Sequence, residues 1–338
     1  MNNLITLLEE KNIQLNTDNT HVLSSSGKKT QVVPLIHQRI LSVKGPETEK
    51  FLQGQLSCDV SAAFSTGSSL GSHCNIKGHM LSLFRLLKAG NDEAWLRMSH
   101  DIFDSATANL KKYMMFSKAE SSEISDQISG IGLIGPGAQT LIERWYGNSP
   151  SETNSIISLS NGLVVRVPGD RFEIWMEDNA LVDMLQQLPE EAGIGSTNDW
   201  ILSEIDAGIP DLRAETQEAF IPQMTNFQVF AGVSFTKGCY TGQEIVTRLQ
   251  HRGQLKKPMY IAEVSVDTPP QAGDAITALN KPNAGRVVIA AQCGENRYRM
   301  LAVIVKNVAE QDPLFLHDQA VELKTLPYSL DPKLFLPK

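Results

Sequence analysis

Apolar and polar positions alternate along this chain in successive rhythms, and each rhythm predicts a different kind of element. After a polar, loop-like stretch over 16–31, the run VVPLIHQRILSV (32–43) alternates with the period of a strand. Gly45-Pro46 then opens a helix, since proline suits the first turn. HMLSLFRLLKAGNDEAWLRM (79–98) reads as two strands joined by a turn at Gly90-Asn91-Asp92. The run from Asp101 to Phe116 carries helical spacing through Ile102, Ala106 and Leu110.

A second mixed pattern fills 120–200. ISGIGLIG, LVVRV and RFEIWM predict strands, and AQTLIERWY and ALVDMLQQL predict helices. From about 255 the character changes again. MYIAEVSV, GRVVIAA and RYRMLAVIV are short β runs separated by Pro, Gly and Asn turns, which points to a compact all-β barrel or sandwich. No repeat recurs at a fixed period. Gly130, Gly132 and Gly135 spell G-x-G-x-x-G, but they lie inside a predicted strand instead of a turn opening a helix, so a dinucleotide site is not expected.

Length and composition refine this outline. A chain of 338 residues with 41% hydrophobic content has enough material for two or three ordinary cores. No apolar run is long enough for a membrane span, and MNNLITLLEEKNIQ reads as a short amphipathic helix without an export signal, which implies the cytoplasm. Cys58, Cys74, Cys239 and Cys293 are far apart, with no CxxC pair, so free thiols and no metal site are expected. His73, Cys74 and His79 do not fit zinc spacing. The net charge of −8 argues against bulk nucleic-acid binding, yet it is uneven. Seven acids face Arg213 over 191–220, whereas Lys237, Arg248, Arg252, Lys256 and Lys257 face only Glu244 over 235–260. Such a basic cluster suits an anionic ligand or a local RNA phosphate, or simply a solvated helix face.

The chemistry concentrates in TKGCYTGQEIVTRL (236–249). Thr241 and Glu244 have capping-box spacing, with Tyr240 and Ile245 at the hydrophobic-staple positions, which predicts a helix starting at Gly242. Gly238 and Gly242 free the backbone to turn. Cys239 then lies just ahead of the positive end of a helix and beside Lys237, a setting that favours thiolate. The competing reading is a small buried hydrophobe in a tight turn. Trp200 reads first as a core aromatic and otherwise as a stacking surface for a planar ligand, and Asp206 as a local cap or a partner for a heterocycle.

KGCYTGQE (237–244) resembles the signature of the YgfZ family, folate-binding tRNA-modifying relatives of the glycine-cleavage T-protein. FLQGQLSCDV (51–60), HCNIKGHML (73–81), LKKYMMFSK (110–118), EIDAGIP (204–210), FIPQMTNFQVFAGVSF (220–235) and LPYSL (326–330) resemble that family's segments in the same order. The resemblance implies an α+β, three-domain T-protein-like fold. Its first α/β, folate-binding domain would comprise 1–120 with 201–250, its second α/β domain 121–200, and its C-terminal β-barrel 255–338. It implies tetrahydrofolate as cofactor, held by Trp200, Gln38, Asp206 and Tyr240, with Cys239 and Lys237 as the catalytic pair and the thiol of Cys239 facing the same cavity, near the bound folate. Gln38 falls where the family has a second tryptophan, so an indole stacking face is missing there. Partners would be folate, tRNA and iron–sulfur client enzymes, for a cytoplasmic monomer acting in tRNA thiolation and iron–sulfur enzyme maintenance.

Two other classes of function compete. A T-protein-like aminomethyltransferase or demethylase would need a catalytic aspartate after the strand at 94–98, where Asp101 or Asp104 lines up only loosely and the family's asparagine is absent. A non-catalytic scaffold would recruit tRNA or a client protein through Arg248, Arg252, Lys256 and Lys257.

Overall fold

The computed structural model describes residues 3–279 and 281–336. Its strands form a six-stranded sheet, a five-stranded sheet and a closed barrel. The alternating stretch 32–43 turns out to be two strands, Thr30–Pro34 and Gln38–Lys44, in different sheets. Pro34 has no N–H to continue a ladder, and the Gln38 N–H donates to the Leu35 carbonyl at 3.0 Å, closing a turn between them.

Thr30–Pro34 pairs in parallel with Ala192–Ile194 and antiparallel with Ile128–Ile134, and the sheet continues through Arg171–Glu177, Gly162–Val167 and Ile156–Leu159. The strand Thr30–Pro34 and the helix Asn3–Glu10, grouped by the resemblance with the first unit, therefore lie with the six-stranded sheet. Glu120–Glu123 moves the other way. It pairs with Gln38–Lys44 at the edge of the sheet Ser68–Cys74, Met80–Lys88, Glu93–Ser99, Gln38–Lys44, Glu120–Glu123.

Each sheet buries one face under helices. Phe51, Leu52, Phe64, Phe103 and Leu110 pack on Leu41, Leu86 and Leu96 of the five-stranded sheet. Leu4, Leu8, Leu141, Ile142, Leu181 and Leu185 cover the six-stranded one. The sheets meet through a shared cluster in which Ile40, Leu87 and Trp95 from one pack with Leu163, Val165 and Trp175 from the other. Two glycines of the G-x-G-x-x-G match, Gly130 and Gly132, serve this packing. A methyl group at Gly130 would run into the Trp175 ring, and one at Gly132 into the Trp200 ring.

Met259–Ser265, Arg297–Ile304, Lys281–Gly294, Ala275–Ala278, Leu314–Leu316 and Gln319–Lys324 close the barrel. The helix Thr197–Asp206 joins it to the sheets. It opens with a complete capping box, the Asp199 N–H donating to Ser196 Oγ at 3.1 Å and the Ser196 N–H to Asp199 Oδ2 at 2.8 Å. Its Trp200 enters the inter-sheet cluster, and its Ile201 and Ile205 pack with Ile289 and Leu301 of the barrel.

Candidate functional site

The loop carrying Cys239 is built on strands and turns far away in sequence. The Ser234 N–H donates to the Ser57 carbonyl at 2.8 Å, and Ser57 Oγ donates to the Gly232 carbonyl at 2.6 Å. The Lys237 ammonium donates to the Leu56 and Cys58 carbonyls, both at 2.8 Å, and lies 5.1 Å from the centre of the Tyr240 ring. Gly242 has φ 83° and presses its backbone against Cys74 and the Asn75 carbonyl, where a side chain would not fit. Its left-handed conformation is one that glycine adopts at no steric cost. Thus FLQGQLSCDV, HCNIKGHML and KGCYTGQE, separated in the chain, form one structure.

Two local expectations need correction. The helix runs Gln243–Arg252 with Gly242 at its N-cap and no side-chain cap, so Thr241 and Glu244 do not form a capping box. Thr241 Oγ1 is drawn instead to Gln55 Oε1 at 3.4 Å, because the loop's tertiary anchors fix its direction. Gly238, for its part, faces open space and has no positive φ, so only Gly242 needs to be glycine for the turn.

Cys239 is exposed at this loop's surface, four residues ahead of the helix. Cys58 and Cys74 are buried beneath it, and burial pushes their thiols up to about 11 and about 12. Both therefore stay protonated and unreactive at neutral pH. Burial also lowers Lys237 to about 8, with Cys58 and Asp59 opposing that shift. Lys237 thus acts on the backbone carbonyls of 56–58, which fixes the loop that presents the thiol. Tyr240 is buried with its hydroxyl unpartnered, and burial raises its pKa.

A second group surrounds a buried ion network between the sheets. Arg97 Nη2 donates to Glu173 Oε1 at 2.6 Å, Arg85 Nε lies 3.6 Å from the same oxygen, and Glu204 Oε1 lies 3.8 Å from Arg97. Burial opposes ionisation of Glu173, but Arg97 and Arg85 more than offset it and hold the carboxyl below its usual range. Gln38 is buried here, accepting from Arg97 Nη1 at 3.3 Å, with its own Nε2 unpartnered. Trp200 is 0% exposed. Its ring packs on Gly132 with the Arg171 guanidinium 4.7 Å from its centre, and its Nε1 has no partner. Asp206 pairs with Arg299 of the barrel, which also engages Glu263.

Where the three units converge lies a cavity of about 480 Å³. Leu70 comes from the five-stranded sheet, Asn154, Pro168 and Gly169 from the six-stranded unit, and Ala207 from the end of the Trp200 helix. Val229, Phe230 and Ala231 close one side, and Pro327 and Tyr328, beyond the barrel, close another. Tyr328 donates to the Gly208 carbonyl at 2.9 Å and stands edge-on to Phe230 with ring centres 5.3 Å apart. Arg85 Nη1 donates to Asn154 Oδ1 at 2.9 Å, so the ion network backs one wall. Its volume lies within the range of small-molecule pockets, and the mixture of two aromatic rings with a few polar groups suits a planar heterocycle. Gln228, next to Val229, keeps both amide atoms buried without a partner behind this wall and does not line the cavity. None of Gln38, Trp200, Asp206, Lys237, Cys239 or Tyr240 lines this cavity. The wall residues Phe230 and Tyr328 were signalled only by the segments FIPQMTNFQVFAGVSF and LPYSL, whereas no motif pointed to Asn154.

Among the described residues no group of His, Cys, Asp and Glu is arranged to hold a metal ion, and no helix is long and apolar enough to cross a membrane. Two α/β sheets, a C-terminal barrel and a cavity at their junction define the aminomethyltransferase fold. The chain superposes on the glycine cleavage system aminomethyltransferase T from Bartonella henselae with a TM-score of 0.72, at 15% identity, covering 89% of this chain and 86% of that one. No family model matches the chain. It is 30% identical over 316 residues to the tRNA-modifying protein YgfZ of Yersinia pseudotuberculosis, spanning 91% of this chain and 95% of that protein. It is 32% identical over 300 residues to YgfZ of Escherichia coli, spanning 86% and 91%. The chain belongs to the YgfZ family.

Proposed function

We propose that this protein is a cytoplasmic folate-binding protein of tRNA modification, which holds tetrahydrofolate in the junction cavity and presents Cys239 as a reactive thiol. One observation carries the reading. Of the segments that resemble the family, 51–60, 73–81 and 237–244 build the anchored cysteine loop, and 204–210, 220–235 and 326–330 supply Ala207, Val229, Phe230, Ala231, Pro327 and Tyr328 to the wall of the 480 Å³ cavity. Phe230 and Tyr328 would flank the pterin, and Asn154 would meet its polar edge. Tetrahydrofolate, when bound, supplies one-carbon carrying capacity. Trp200, Gln38 and Asp206 act from behind, setting the helix and the ion network that shape the wall. Lys237 and Tyr240 fix the loop so that the thiol of Cys239 meets its substrate at the surface. The cellular consequence is tRNA thiolation and upkeep of iron–sulfur enzymes.

Aminomethyl transfer is not adopted, for a local reason. Asp101 accepts from the Ala214 N–H at 3.1 Å, and Asp104 pairs with Arg39 at 3.2 Å. Both candidate acids are occupied structurally.

Calorimetric titration with tetrahydrofolate tests the pocket. The native chain is expected to bind, and Phe230→Ala to weaken binding by about five-fold or more through lost stacking. Val229→Glu, at the more exposed rim, weakens it by repelling folate's carboxylates. Cys239→Ser leaves folate affinity unchanged but fails to restore tRNA thiolation in a deficient strain. No heat at millimolar folate would remove the cofactor reading, and full restoration by Cys239→Ser would remove the thiol.

A further inference from the structure

The end of the strand Ser68–Cys74 is flanked by a surface that the folate reading leaves unused. Beyond the helix Phe103–Lys111, a short turn Met114–Phe116 buries only Met114. Its neighbours therefore point outward, with Phe116 93% and Met115 82% exposed and Tyr113 half-exposed. Tyr113 stands edge-on to His73, with ring centres 5.8 Å apart, which places it beside the strand end. Ile76, also largely exposed, caps the following turn, and that turn carries the cysteine loop, since Gly242 packs on Cys74 and Asn75. Large apolar side chains this exposed and this close together mark an interaction site.

Charge indicates the partner. Lys111 and Lys112, at the end of the helix Phe103–Lys111, and Lys77, next to Ile76, are all exposed. Among the described residues the lysines in ion pairs are Lys44, Lys50, Lys306 and Lys324, so these three cations are uncompensated on a protein of net charge −8. Among the described residues the only side-chain hydrogen bond of their ammonium groups runs from Lys112 to Asn109 Oδ1. Burial, with the positive charge of Lys112 adding to it, lowers the His73 imidazole to about 4, consistent with a cation next to that strand end. Exposed aromatic faces beside free cations are what unpaired nucleotides bind, through base stacking and phosphate attraction. An acidic peptide would be drawn by the lysines but gains little from two open rings. A purely apolar protein partner would leave three cations to be desolvated.

We propose that Tyr113, Phe116, Lys77, Lys111 and Lys112 form a docking platform for single-stranded RNA, delivering an unpaired segment beside Cys239. The choice of RNA rests on the tRNA-modifying reading, whereas the platform itself rests on these exposed side chains.

Fluorescence anisotropy with labelled oligouridine, at several salt concentrations, tests it on the full chain. The native protein is expected to bind, and to prefer this probe to a blunt RNA duplex. Phe116→Ala weakens binding by about five-fold to a hundred-fold with an unchanged salt slope. Lys111→Gln with Lys112→Gln flattens the slope by about 1.4. Melting and folate titration of Phe116→Ala stay native, because the ring contributes to neither the core nor the cavity. Absence of oligouridine binding overturns the platform, and folate titration of the same preparation shows whether the cofactor reading fell with it. Unchanged binding by Phe116→Ala and Tyr113→Ala also overturns it, placing RNA elsewhere while leaving the family reading intact. So does intact RNA binding with altered self-association, which would make the patch a protein contact.

Discussion

At the scale of single residues, packing decides what a side chain is for. Trp200 reads from the sequence first as a core aromatic and otherwise as a stacking platform, and its ring lies fully buried against Gly132. The glycine exists because the indole needs its space. Gly132→Ala inserts a methyl group into that contact and is expected to cost about 1–3 kcal/mol through overpacking, seen as a lower urea midpoint. A native midpoint would mean that the ring can move aside and that the inter-sheet cluster is looser than its geometry implies. Cys239 shows the same principle in reverse. Exposed and unburdened by packing, it differs from Cys58 and Cys74, whose burial keeps them protonated.

At the scale of elements, tertiary anchors replace local signals. The pattern T-x-x-E predicted a capped helix at 241–244, yet the loop is set by Lys237 reaching the Leu56 and Cys58 carbonyls. Burial lowers the folded pKa of this lysine from 10.5 to about 8. In that interval the unfolded chain binds more protons, so the contribution of Lys237 to stability rises as pH rises from about 8 towards 10.5 and is lost as pH falls through 8. The wild-type urea midpoint is therefore expected to gain on that of Lys237→Met between about pH 8 and 10. Comparison with the variant cancels the opposing effect of the buried Cys74 thiol, which Lys237 does not influence. A constant difference between the two proteins would show that the ammonium is better hydrated than its contacts suggest.

At the scale of the whole molecule, one buried ion network ties the units together. Arg85 and Arg97 come from the five-stranded sheet, Glu173 from the six-stranded sheet and Glu204 from the linking helix. Glu173→Gln leaves the guanidinium groups without their carboxylate and is expected to destabilise by about 3–5 kcal/mol, measured by urea unfolding. Because its carboxyl is held below the usual 4.5, the stability it contributes is present above that pH and lost as pH falls through the depressed value. The variant should therefore lose less stability than the native protein on acidification below about pH 4.5. Equal acid sensitivity would show that other carboxylates dominate.

The sequence by itself determined the elements whose signals are local. The strands 80–88, 93–99 and 171–177, the helix 138–146 and the β-rich C-terminal unit follow from periodicity and turn residues, since side-chain spacing alone fixes which face is apolar. The segments bearing the family likeness were legible too, because each is a continuous run. What only the tertiary structure decided was adjacency. Nothing in VVPLIHQRILSV announces that its two halves enter different sheets, because alternation is the same in either and pairing partners lie up to about 160 residues away. Nor could spacing show that Asn154, Phe230 and Tyr328 share a cavity wall, or that Lys237 serves a backbone turn near residue 57. Contacts of that kind are set by how whole sheets pack, and the free energy that fixes them is spread over a core instead of residing in any one stretch of chain.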